Sequence, residues 1–501
     1  MPSHHSSADG ARPNCGVVGV FNHPSAAVIC YYALHALQHR GQEACGIVAA
    51  GATDGNGRHR FRWHKARGLV LDVFSDSRLL TDHLRGSAAI GHNRYSTTGS
   101  NSDANIQPFA IRYHGGNLAL AHNGNLTNTI ALRRQLQADG AIFQSTSDSE
   151  LFLHLIARSK APTELERIRT ALRTTRGAYS LVLLTDTALY AARDPHGFRP
   201  LAIGRIRNSD GTIAYIIASE TCAFDIVGAE YVRDVCHNEL VVINQRTIAD
   251  GTIESYHIED QTPPARQCIF EYVYFARPDS IVFGHSVDKV RRKLGKNLAL
   301  EQPVSAEGFD KVTVIAVPDS GNTAALGYAK VNAEENGIPT RFEIGLIRSH
   351  YVGRTFIAPE QDERSLKVKA KFNPVRGVLE GRKVVVVDDS IVRGTTSKQL
   401  VQLLRSAAPA EVHLRITSPP ITHPCKYGMD FPSREELIAN HHSDTESIGR
   451  ALGVDSLGYL SVEGLLDAVP QQEGIGYCTA CFTGEYPVEV ELDMSKFATE
   501  D

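Results

Sequence analysis

The stretch VVVVDDSIVRGTTS, residues 384–397, sets the architecture of one half of this chain. Four consecutive valines leave no polar alternate position, so they fit a strand covered on both faces, as in a parallel sheet between helical layers. Asp388 and Asp389 follow where that strand ends, and the Gly- and hydroxyl-rich turn from Ser390 to Ser397 leads into the helix-forming KQLVQLL. The same succession of apolar strand, tight polar turn and helix recurs upstream, where VTVIAV (312–317) precedes PDSGNTAALGYA. The pattern predicts an α/β domain with a mainly parallel sheet, a fold that binds ligands beyond the carboxyl ends of its strands.

Upstream of QTPPARQ (261–267) the rhythm differs. CGVVGVF (15–21) reads as a buried strand, and Ala26 to Leu37 as a helix with Ile29, Ala33 and Leu37 on one face, ended by QHRGQE (38–43). Through residues 86–240 the short apolar runs LALAHNGN, YSLVLLTD, TIAYIIAS and ELVVIN alternate with Gly-, Asn- and Asp-bearing turns. This half is expected to be an α+β sandwich, with the boundary near 255–265. Two domains also suit 501 residues, more than one core usually serves.

Fifty-two Lys and Arg against 56 Asp and Glu give a net charge of −4, so no global field draws in nucleic acid or an anionic membrane. Residues 1–14, MPSHHSSADGARPN, lack the apolar centre of a secretory signal, and no run of 18 apolar residues follows. A cytoplasmic protein is expected. Nine cysteines at no regular spacing do not form a secreted disulfide framework.

Two adjacent carboxylates at a strand end can accept hydrogen bonds from a ribose diol and help hold a divalent ion. Free N–H groups at the start of the following helix, together with its dipole, favour a phosphate. Ser390, Arg393, Gly394, Thr395, Thr396 and Ser397 make up that turn. Read alone, Ser320 in VPDSG (317–321) is equally a helix cap or a ligand.

The fourteen residues resemble the fingerprint of type I phosphoribosyltransferases, in the form carried by the glutamine phosphoribosylpyrophosphate amidotransferase family, and the resemblance covers nearly all of the chain beyond residue 14. It implies that Asp388 and Asp389 engage the ribose hydroxyls and a Mg²⁺ complex, that the following loop takes the 5′-phosphate, and that VPDSG is a pyrophosphate loop with Ser320 at the metal site. RSHYVGRTFIAPEQDERSLKVKAK (348–371), with Arg348, Arg354, Arg364, Lys367, Lys369 and Lys371, resembles the family's flexible lid. Closure would exclude water, which competes with ammonia.

CGVVGVF is similar to the start of mature class II, N-terminal-nucleophile glutamine amidotransferases. A thiol needs a base, and a free α-amino group with a pKa of about 7.7–8.0 supplies one if cysteine is the first residue. The resemblance therefore implies a propeptide, 1–14, cut before Cys15, a glutaminase domain over 15–260 and a phosphoribosyltransferase domain over 261–501. QHRGQE, GHNRYST (91–97), AHNGNL (121–126) and TSDSE (146–150) match the family's glutamine pocket in order. Arg94 would grip the α-carboxylate and Asp148 the α-ammonium, with Arg40 in a supporting place. The Asn123 amide and the Gly124 N–H would serve the oxyanion formed when the Cys15 thiolate attacks.

Cys478 and Cys481 form CxxC, with Cys268 and Cys425 far upstream; spacing alone does not choose between zinc and iron–sulfur. All four contexts resemble the family's iron–sulfur subgroup, which implies one structural [4Fe–4S] cluster. The family further implies glutamine and phosphoribosyl pyrophosphate as substrates, 5-phosphoribosylamine, pyrophosphate and glutamate as products, inhibition by purine nucleotides, and a homotetramer. An amino-sugar amidotransferase would share the glutaminase motifs but lack VVVVDDSIVRGTTS. A nonenzymatic nucleotide sensor would not keep both motif sets.

Overall fold

Alternation along the first strand organises the amino-terminal half. The computed structural model describes residues 15–53, 59–95, 102–349, 371–429, 431 and 433–491. In the strand Gly16–Phe21, Val17 and Phe21 point into a core shared with Ala119, Ala121, Val182 and Leu189, while Val18 and Val20 point to a second core with Cys30, Ala33 and Leu34. Both faces are thus covered, one by another sheet and one by helices. Gly19 lies where the sheets approach most closely: a Cβ there would stand 2.6 Å from Val182.

The first sheet has seven strands in the order 230–234, 202–207, 213–218, 16–21, 88–94, 44–53 and 59–67, and the second has six in the order 254–257, 239–244, 188–193, 177–185, 116–126 and 109–113. All their pairings are antiparallel. Helix Ala26–Ala36 packs outside the first sheet, and helices Glu150–Arg158 and Glu164–Thr174 outside the second. The expected sandwich is therefore four layers deep. The buried stripe of the first helix differs from the expected one. Ala26, Cys30, Ala33 and Leu37 are buried and Ile29 is only half-buried, because the small residues let the helix lie close to the sheet.

The second half is built on a five-stranded sheet, 340–342, 312–316, 383–388, 411–416 and 456–459, with every pairing parallel. Helices Val287–Glu301 and Asn322–Glu334 cover one face, and Thr395–Arg405 and Thr445–Leu452 the other. The four valines are fully buried, as their lack of alternation requires. From strand 312–316 the chain first adds 340–342 on one side and then 383–388 on the other. The order therefore reverses between 312–316 and 383–388, and the crevice at their carboxyl ends is where such a sheet binds ligands.

Candidate functional site

Strand parity brings Cys15 to the seam between the two sheets of the first half, on the same side as Val17, and Asn123 to the same seam beside Ala121. Register sets Gly16 opposite Asn93, which puts Arg94 next to Cys15. His92 Nε2 lies 3.1 Å from the His122 carbonyl oxygen and links the sheets behind them. A small cavity at this end is lined by Cys15, Arg94, Tyr95, Gln107, His122, Gly124, Ser147, Asp148 and Ser149.

Cys15 is buried and its thiol donates to the Tyr95 carbonyl at 3.4 Å. Burial pushes the thiol up to about 11, against a smaller opposing effect of the Arg94 guanidinium. The thiol is then held protonated near neutral pH, so attack requires a base. Burial holds the His122 imidazole below its usual range, and its nitrogens face Ser149 Oγ at 2.8 Å and the Ala178 carbonyl at 3.3 Å. Asp148 accepts from the Leu126 N–H at 2.9 Å and from Ser149 Oγ at 3.2 Å, which fixes its carboxylate. Both side-chain atoms of Asn123 are fully buried with no partner among the described residues, as suits an amide kept for a ligand. Gly124 has φ +154°, and a Cβ would run into the Ala178 carbonyl.

In the second half the ligand crevice holds the acidic pair. Asp389 accepts from Ser320 Oγ and, at 2.6 Å, from Ser390 Oγ; the Asp389 N–H donates to Asp388 Oδ1 at 2.9 Å. Burial raises both carboxyls, and the charge of Asp389 raises Asp388 further. Ser320 makes no helix cap; it joins the ends of strands 312–316 and 383–388. Gly394, at φ +80°, turns the chain into the helix Thr395–Arg405, and a Cβ would strike Ile438. Lys398 is the first N–H of that helix with an intrahelical acceptor, Gly394 O at 2.9 Å, so the N–H groups of Thr395, Thr396 and Ser397 point out of its start. The Arg393 guanidinium turns away to Glu436 at 3.0 Å.

Comparison with known proteins gives the family. Residues 92–225 match the family described as "Glutamine amidotransferase domain". Amidophosphoribosyltransferase 1 of Arabidopsis thaliana, chloroplastic, is 49% identical over 488 residues, 97% of this chain and 81% of that protein. The Bacillus subtilis amidophosphoribosyltransferase is 46% identical over 488 residues, covering 97% and 96%. This chain belongs to the amidophosphoribosyltransferase family. A solved structure of the B. subtilis glutamine phosphoribosylpyrophosphate amidotransferase complexed with ADP and GMP superposes with a TM-score of 0.84 at 46% identity, covering 96% of this chain and 99% of that one.

As an amidophosphoribosyltransferase the chain is an enzyme. It transfers ammonia from glutamine to phosphoribosyl pyrophosphate in the first committed step of purine nucleotide synthesis. Its halves are the N-terminal-nucleophile sandwich and the type I phosphoribosyltransferase fold.

Arg40, expected in a supporting place, does not line the cavity. It lies behind Gly16, fully buried, and pairs with Glu220 and, at 2.5 Å, with Glu271 of the second half. Arg199 reaches the same Glu271 at 3.3 Å. The cavity instead includes Tyr95, Gln107, His122, Ser147 and Ser149. His122, Ser147 and Ser149 sit inside AHNGNL and TSDSE, so their place in those motifs was the available signal; Gln107 carried none.

The four late cysteines converge. Cys268 and Cys478 are cross-strand partners in the parallel pair 265–268 and 475–478. The Cys481 carbonyl accepts from the Thr422 and His423 N–H groups at 3.0 and 3.1 Å, which brings the approach to Cys425 alongside. Tyr427 N–H donates to Cys425 Sγ at 3.3 Å. Among the described residues no three His, Cys, Asp or Glu side chains stand close enough to share one metal ion. Of the other cysteines, Cys30, Cys45 and Cys222 are buried and Cys236 is exposed. The stretch 350–370, with Arg354, Arg364, Lys367 and Lys369, and the leader 1–14 lie outside the described residues. The strands flanking 350–370, Leu346–Arg348 and Phe372–Pro374, pair with each other, and Arg348 forms an ion pair with Asp319. No helix among the described residues is long and apolar enough to cross a membrane.

Proposed function

We propose that the reaction divides between a glutaminase domain, 15–260, and a phosphoribosyltransferase domain, 261–501, in the following way. Cleavage before Cys15 frees an α-amino group that takes the thiol proton, and the thiolate attacks the side-chain amide carbon of glutamine. Arg94 and Asp148 hold the α-carboxylate and α-ammonium, while Asn123 Nδ2 and Gly124 N–H donate to the oxyanion. Ammonia leaves, passes inside the protein to the second site, and attacks C1 of phosphoribosyl pyrophosphate as pyrophosphate departs; water releases glutamate from Cys15. Supporting the first site is the unpartnered Asn123 amide at the seam that holds Cys15.

At the second site Asp388 and Asp389 accept from the ribose hydroxyls, and the open N–H groups of Thr395, Thr396 and Ser397 take the 5′-phosphate. Ser320 and the acidic pair are a donor set suited to Mg²⁺, which binds through one or two carboxylates plus substrate phosphates. Mg²⁺ would offset charge on the departing pyrophosphate. The protein's own contribution here is positioning, since ammonia is the nucleophile.

Cys268, Cys425, Cys478 and Cys481, whose thiols are mutually near, are a donor set suited to a [4Fe–4S] cluster. The cluster would supply a structural tie between the start and end of the domain. Purine-nucleotide inhibition follows the ADP and GMP held by the B. subtilis relative, and a cytoplasmic homotetramer completes the reading. Intact-mass measurement of active protein tests it: residues 1–14 should be missing, and full glutamine-dependent activity with the leader retained would overturn the amine-base mechanism.

A further inference from the structure

The strand end that carries the oxyanion donors meets two close backbone approaches, and one of them comes from the other half of the chain. Gly124 backs onto the Ala178 carbonyl within its own sheet. Gly428, at φ +105°, also approaches it: a Cβ on Gly428 would stand 3.0 Å from Gly124 C, 3.1 Å from its O and 3.2 Å from its Cα. The two backbones therefore meet with no side chain between them.

The segment bearing Gly428 is pinned in place. Asn125 Nδ2 donates to the Lys426 carbonyl at 3.0 Å, and Arg199 Nε and Nη2 donate to the Tyr427 carbonyl at 3.1 and 2.7 Å. The Tyr427 ring stacks on Phe198 with centroids 4.3 Å apart, and its hydroxyl donates to Val488 O at 2.8 Å and accepts from Val488 N–H at 2.9 Å. Asn123, by contrast, has no side-chain hydrogen bond among the described residues to set where its amide points. The backbone on either side must do so.

We propose that Gly428 is a positioning residue for glutamine hydrolysis: it abuts the Cα and carbonyl of Gly124 and so fixes the residue whose N–H faces the oxyanion. The glutaminase site is then incomplete without a glycine supplied by the phosphoribosyltransferase half. This rests on the oxyanion assignment above. A methyl group at 428 would press on Gly124 at 3.0–3.2 Å, so Gly124 must give by a few tenths of an ångström, and a shift of that size misaligns donors whose benefit depends on geometry.

Three variants decide the matter, each checked for a folded melting profile. Gly428→Ala should lower glutamine-dependent kcat about 10- to 100-fold, up to the cost of misplacing a reacting group by about 1 Å, while KM for glutamine stays within about threefold because Arg94 and Asp148 are untouched. Asn125→Ala, which frees the Lys426 carbonyl from the other end of the contact, should lower kcat about 3- to 10-fold with the same split; if Gly428→Ala does not fold, this result decides. Asn123→Ala measured alongside separates the two claims. Loss of kcat in Asn123→Ala with wild-type kcat in the other variants overturns the positioning role alone, whereas wild-type kcat in Asn123→Ala overturns the oxyanion assignment beneath it. A change confined to KM in Gly428→Ala also overturns the proposal.

Discussion

Arg40 and Glu271 form an ion pair between the two halves of the chain, with both side chains fully buried. Removing one member of such a pair leaves a charge in an apolar setting, which costs about 3–5 kcal/mol. Arg40→Ala should therefore lower stability by up to about that amount, read as a lower urea midpoint, with Arg199 still beside Glu271 and His39 beside Glu220. In the folded fraction the KM for glutamine should stay near the wild-type value. A normal midpoint with a raised KM would place Arg40 in the glutamine pocket instead.

Glu220 is the acid-sensitive member of that network. Burial alone would raise its carboxyl, but Arg40 and His39, with a hydrogen bond from the Arg277 N–H, outweigh burial and hold it well below 4.5. A carboxylate depressed in the folded state contributes stability that is present above its unfolded pKa and lost as pH falls through the folded value. The melting temperature should fall as pH drops below about 4.5. Glu220→Gln should be less stable at pH 7, and the gap to wild type should narrow toward pH 3; a constant gap would contradict the ion-pair role.

Asp388→Asn and Asp389→Asn address the second site alone. Each should reduce pyrophosphate release about 100-fold or more with either glutamine or ammonia as nitrogen source. Cys15 should still be alkylated by a glutamine-like affinity reagent. Loss of that labelling would mean that the acidic pair shapes the first site as well.

Cys425→Ser should remove iron and acid-labile sulfide from protein prepared without oxygen, whereas Cys236→Ser, at an exposed thiol, should retain both. Equal retention in the two variants would argue against the cluster ligands proposed here.

Much of this could be read in the sequence because local pattern carries it. Four valines without alternation require a strand covered on both faces, and they are buried between helical layers. Asp388 and Asp389 end that strand, so their place in the crevice follows from it. What escaped the sequence depends on partners distant along the chain. Ser320 meets Asp389 only because two parallel strands lie side by side in register, and Arg40 is taken up by Glu220 and Glu271, far along the chain. Arg393 likewise turns to Glu436. Ile29 missed the helix face because the buried stripe is made of small residues that a search for large apolar ones passes over.

The central claim is that two separable sites share one nitrogen atom, the first acting through Cys15. Replacing Cys15 by Ala and measuring pyrophosphate release with glutamine and with ammonium salt tests it most directly. Glutamine-dependent release should vanish while ammonia-dependent release persists; equal loss of both would contradict the account.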